Sequence, residues 1–122
     1  MNLWWIAAGL AAAFTAAVHV VFGGRDIDRP LMALTIDDRQ IKYGTHLCWH
    51  LVTIELVALA AFCLWPGVTG RGTELVVAAT AIAAASAVWN VVMVVRHRLG
   101  FGEFPQWTLF AVIAGLGLAG LA

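Results

Sequence analysis

The chain has 122 residues, of which 62% are hydrophobic and 11% charged, and its mean hydropathy of +0.90 lies outside the range of soluble domains. Seven Lys and Arg balance seven Asp and Glu, which excludes the basic surface that nucleic-acid binding requires. These values specify a membrane protein with room for one bundle of about four spans at roughly 20 residues each and no separate soluble domain.

The first apolar run covers residues 3–22, with Trp4 and Trp5 near its start as expected of an interfacial aromatic belt. The absence of Lys or Arg before it argues against a signal peptide and for a retained span. His19 lies one turn before its end, with Thr15 one turn further in. Gly23-Gly24 is expected to stop this helix. The segment that follows, to Lys42, carries more than half of the charged side chains, and Thr35 with Asp38 suits a helix start near Ile36.

The second span, 46–65, opens on the most informative stretch, Thr45 to Glu55, where two histidines, a tryptophan and a carboxylate interrupt an apolar run. At about 100° per residue His46 and His50 share a face, with Lys42 one turn before them, whereas Glu55 lies well round the helix. Pro66-Gly67 is a stop signal. The third span, 74–95, is built of Val and Ala with Ser86, Trp89 and Asn90 in its second half. Pro105-Gln106-Trp107 opens a short fourth span, 105–122. Cys48 and Cys63 are separated by roughly 22 Å of helix and cannot pair within one chain.

The expected fold is therefore all-α, a single antiparallel four-helix transmembrane bundle over residues 1–122. Small residues recur at every turn in Ala8-Ala12-Ala16, Ala79-Ala83-Ala87 and Ala111-Gly115-Ala119, which permits close helix approach. Arg25, Arg29, Arg39, Lys42, Arg96 and Arg98 flank the first and third connections, against Arg71 alone in the second. This bias places the first and third connections in the cytoplasm and both termini outside. So little polar surface suggests a homo-oligomer or a place in a larger membrane complex, with the lipid bilayer as the common partner.

With that topology nearly all polar side chains fall in the cytoplasmic half. Three readings stay open for them. His46 and His50, joined by His19, form a candidate site for a divalent transition metal ion. Arg25, Lys42 and Arg96 with His46 and His50 form a candidate site for a phosphate or lipid headgroup, and Arg25, Lys42, Trp49, Asn90 and Gln106 are the candidate ligand-binding residues. The histidines could equally be held by loop carbonyls or by Asp26 and Asp28. Glu55, near mid-membrane, is expected to face the bundle interior, with Thr15, Ser86 or Asn90 as its partner, and is the candidate proton-handling group. Ser86 is the only serine and has no evident histidine partner, so hydrolase chemistry is not expected. The leading reading is a binding protein, against a small proton-coupled transporter working through Glu55 and an accessory subunit that binds nothing itself.

His19, Gly24-Arg25, Pro30-Leu31, Trp49-His50-Leu51 and Pro105-Gln106-Trp107 together resemble an uncharacterised family of small bacterial four-span membrane proteins. Gly23-Gly24-Arg25 stands where that family's pattern has Gly-Glu-Arg, and Val52-Thr53 follows Leu51. The resemblance implies the fold and, with it, the inner membrane of a bacterium; it implies no activity. Small multidrug-resistance transporters share the size and a single intramembrane glutamate, but theirs lies in the first span, which here has no carboxylate.

Overall fold

The computed structural model describes residues 1–122 and is helical almost throughout. The elements are α1 (Leu3–Val18), a π-helical segment (His19–Asp28), α2 (Arg29–Ala33), α3 (Arg39–Thr69), α4 (Thr73–Arg96) and α5 (Gln106–Leu121). Helices α1, α3, α4 and α5 form an antiparallel four-helix bundle in which α1 packs against α3 and α5, and α4 against α5 and, more loosely, α3. Three continuous helices, Leu3–Ala33, Arg39–Thr69 and Thr73–Arg96, are long and apolar enough to cross a membrane, which makes this a membrane protein. The apolar α5 is shorter, with 16 residues.

Several boundaries differ from the sequence expectation. Gly23-Gly24 does not end the first helix, which widens into the π-helical segment and runs on to Ala33. Glycine lacks the side chain that would crowd the wider turn, so it tolerates this geometry as readily as it marks a stop. The next helix starts at Arg39 instead of near Ile36, because Asp38 is the residue that caps it, its carboxylate accepting from the Gln40 and Ile41 amides. Pro66 and Gly67 sit inside α3. Gly67 is a packing residue, since a Cβ there would come within 2.9 Å of the Ile6 amide nitrogen. The stop is instead Gly70, in the left-handed conformation at φ +70°.

The half of the bundle that holds both termini is tightly closed. Ala8, Ala12, Ala79 and Ala83 are completely buried, so two of the three small-residue rows serve as expected. The third does not: Ala111, Gly115 and Ala119 point outward, and α5 buries Phe110, Ile113, Ala114 and Gly117 instead. Asn2 fastens this end. Its amide donates to the Gly67 carbonyl at 2.8 Å, its side-chain amide to the Gly120 carbonyl at 3.0 Å, and its side-chain oxygen caps α1. One residue thus joins α1, α3 and α5.

A Cβ at Gly117 would collide with the Thr80 side chain, whereas one at Gly115 meets nothing within 4 Å. Gly117→Val is therefore expected to destabilise the bundle by about 1–3 kcal/mol through overpacking, and Gly115→Val to be close to neutral. Reversible unfolding in mixed micelles, followed by far-UV circular dichroism, measures both.

Candidate functional site

At the opposite end the helices part around a cavity of about 1040 Å³ lined by all four of them. The α1 wall supplies Thr15 and continues through the π-helical segment with His19, Gly23 and Asp26. Helix α3 supplies Trp49 and Glu55, α4 supplies Ser86, Trp89 and Asn90, and the connection into α5 supplies Glu103 and Gln106. The remaining lining is largely apolar, including Phe22, Phe104 and Phe110.

Two contacts shape the α1–α3 wall. The His19 and Trp49 rings stack with centroids 3.9 Å apart at 17°, and His19 Nε2 donates to the Trp49 carbonyl at 3.2 Å. Gly23, one turn on, clears room for the indole, since a Cβ there would lie 2.5 Å from its ring. Trp49 thus serves as a wedge seated on a glycine and pinned by a histidine. Deeper in, Ser86 Oγ donates to Glu55 Oε1 across the α3–α4 interface. At 3.3 Å this hydrogen bond is long for a hydroxyl on a carboxyl oxygen. The side-chain amide of Asn90 donates to the Ser86 carbonyl at 2.8 Å, bracing α4 behind it. Thr15 spends its hydroxyl on the Ala11 carbonyl and offers Glu55 nothing.

The candidate residues therefore separate into two groups. His19, Trp49, Glu55, Asn90 and Gln106 meet in the cavity. His46, His50, Arg25 and Lys42 do not line it. Arg25 is an exposed side chain paired with Asp26 at 2.6 Å, and Lys42 donates to the Leu34 carbonyl at 2.9 Å. The expected basic ligand set is thus dispersed, because each cation has found a partner on its own part of the polar loop.

The expected histidine triad is also divided. Asp28 accepts from His46 Nδ1 at 2.7 Å, and His46 Nε2 lies 3.3 Å from His50 Nε2. An ionised carboxylate can only accept, so His46 carries a proton on Nδ1 and the second ring nitrogen is free to accept from His50. This chain of three satisfies itself through protons, while His19 is committed to Trp49. No group of three or more His, Cys, Asp or Glu side chains is arranged to hold a metal ion. The histidine held by Asp28 is the alternative the sequence had left open.

Glu103, Thr15 and Trp89 belong to the cavity although none was singled out as a site residue. Glu103 sits in a short turn, where its amide donates to the Gly100 carbonyl, and nothing in its local sequence signals that the turn folds back over the bundle mouth. Phe101 and Trp107 meet edge to face at 6.1 Å and hold that turn against the start of α5.

No family model matches the chain, and neither the curated proteins nor the solved structures contain a match to it.

The Asp28–His46 contact is expected to fix the His46 tautomer. In ¹⁵N-labelled protein His46 should show a protonated Nδ1, and Asp28→Leu should shift the population towards protonated Nε2, the form favoured by free imidazole. His19 should keep its proton on Nε2, because the Trp49 carbonyl, and not Asp28, accepts from that nitrogen.

Proposed function

We propose that this is a binding protein of the bacterial inner membrane, with both termini outside, and that the cavity holds a small amphipathic molecule entering from the cytoplasmic end. The observation that carries the reading is that one cavity gathers His19, Glu55, Ser86, Asn90 and Gln106, the polar side chains of otherwise apolar spans, among aromatic walls. Polar groups at membrane depth are costly unless they serve a site, and a mostly apolar pocket with a few convergent polar groups is the usual form of a small-molecule site. Six of the seven basic residues flank the two connections at the cavity end, which supports the cytoplasmic orientation.

The lining includes no Lys or Arg, so it offers an anionic headgroup no cation. A role in binding is favoured over passage through the bundle, because Asn2 and the buried alanines close the far half. A proton-coupled transporter would have to open that half, and would show flux into liposomes that Glu55→Gln abolishes.

The test uses the full chain in phosphatidylcholine nanodiscs and a neutral probe, 2-naphthalenemethanol, titrated calorimetrically against empty nanodiscs. Saturable binding at about one probe per chain is expected, with a loss of at least about tenfold in Val52→Phe and in Ala85→Phe, each of which adds a ring to the cavity wall. Affinity unchanged in both variants would remove the cavity as the site. Native mass spectrometry of the same samples reads the proposed homo-oligomer or larger assembly directly.

A further inference from the structure

We infer that the cavity selects an organic cation, a protonated amine carried on an apolar, ring-bearing body. The inference rests on the cavity being a binding site, and it comes from three features of the lining.

The first is charge. The side chains of Asp26, Glu55 and Glu103 line the cavity and no Lys or Arg does. Asp26 is already matched by Arg25, but Glu55 and Glu103 have no ion-pair partner. An anion beside an ionised Glu55 meets like charge, whereas an ammonium supplies its counter-charge.

The second is the direction of the hydrogen bonds. Ser86 spends its hydroxyl proton on one oxygen of Glu55, and Asn90 spends an amide proton on the α4 backbone. His19 Nε2 is used by the Trp49 carbonyl. Among the groups left unspent is the second oxygen of Glu55, which has no protein donor. An ammonium brings up to three N–H donors and no acceptor. The open oxygen of Glu55 thus accepts from the same head group that its charge favours.

The third is the aromatic content. Trp49 on α3 and Trp89 on α4 line the cavity, with Phe22, Phe104 and Phe110 also in its wall. Indole faces attract a desolvated cation and also pack against a flat ring, so they suit both ends of such a molecule. Thr45 lies ten residues before Glu55 on α3, which places the carboxylate roughly 15 Å below the mouth of the cavity. The ammonium sits at the deep end against Glu55, and the apolar body extends back past Trp49 and Phe22.

Three probes with one ring system and different head groups test this: 2-naphthylmethylammonium, 2-naphthalenemethanol and 2-naphthylacetate, each titrated near neutral pH into the full chain in phosphatidylcholine nanodiscs. The ammonium is expected to bind at least about tenfold more tightly than the alcohol, with the acetate weakest. Glu55→Gln should bring the ammonium down to the level of the alcohol and leave the alcohol itself within about twofold. If that variant does not fold, Glu103→Gln is expected to lower the ammonium affinity severalfold at the mouth, and the comparison within the wild type needs no variant. Equal affinity for ammonium and alcohol, or a preference for the acetate, overturns the cation inference while the cavity reading stands. If none of the three binds the wild type, both readings fall.

Discussion

The seat of Trp49 against Gly23 is the contact on which the shape of this bundle depends. At the closed end, α1 and α3 approach through glycine and alanine: Gly9 faces Leu64, and Gly67 faces Ile6. At the other end the same two helices are separated by an indole stacked on an imidazole. Small residues at one end and two stacked rings at the other form a taper, and a tapered bundle encloses a space at its wide end. The His19 hydrogen bond to the Trp49 carbonyl keeps the ring pair in place, so the taper is specified by directional contacts and not by bulk alone.

The π-helical segment makes this seat compatible with the contacts above it. His19 and Asp28 are nine residues apart, and on a regular α-helix, at about 100° per residue, they would project to opposite sides. Both nevertheless reach α3, His19 at Trp49 and Asp28 at His46. Hydrogen bonds from i to i+5 widen the turn, as in the Arg29 amide bonded to the Gly24 carbonyl, and bring the two onto one side. A regular helix here would keep one contact and lose the other. Wide turns of this kind within a helix are often found beside functional sites.

Much of the bundle was legible in the sequence because hydropathy and length are one-dimensional properties. They give the number of helices, their order and their alternation, and the alanine rows in the first and third helices follow from the same periodicity. The pairing of Glu55 with Ser86 was also within reach, since a carboxyl at mid-depth in an antiparallel bundle meets whatever polar group lies at the same depth on the next helix. What sequence could not supply is rotation about the helix axes. Gly115 is as small as Gly117, but only Gly117 faces Thr80, and the choice depends on how α5 is turned. The histidines failed to converge for the same reason: His46 and His50 lie on one face of α3 as their spacing requires, but the π turns carry Asp28, and not His19, to that face. Arg25 and Lys42 were misjudged because proximity to the bundle end says nothing about which nearby acceptor a flexible cation finds first.

The size of the cavity bears on what it can be. The cavity is a recess of about 1040 Å³ open at its mouth, so water and lipid can both reach it. Water suits the mouth, where Asp26 and Glu103 can hydrogen-bond it, but it gains little beside Leu56, Leu109 and Phe110. A lipid tail suits the apolar wall but offers nothing to Glu55. An occupant of the proposed kind, apolar along its body with N–H donors at one end, would meet both the aromatic wall and Glu55.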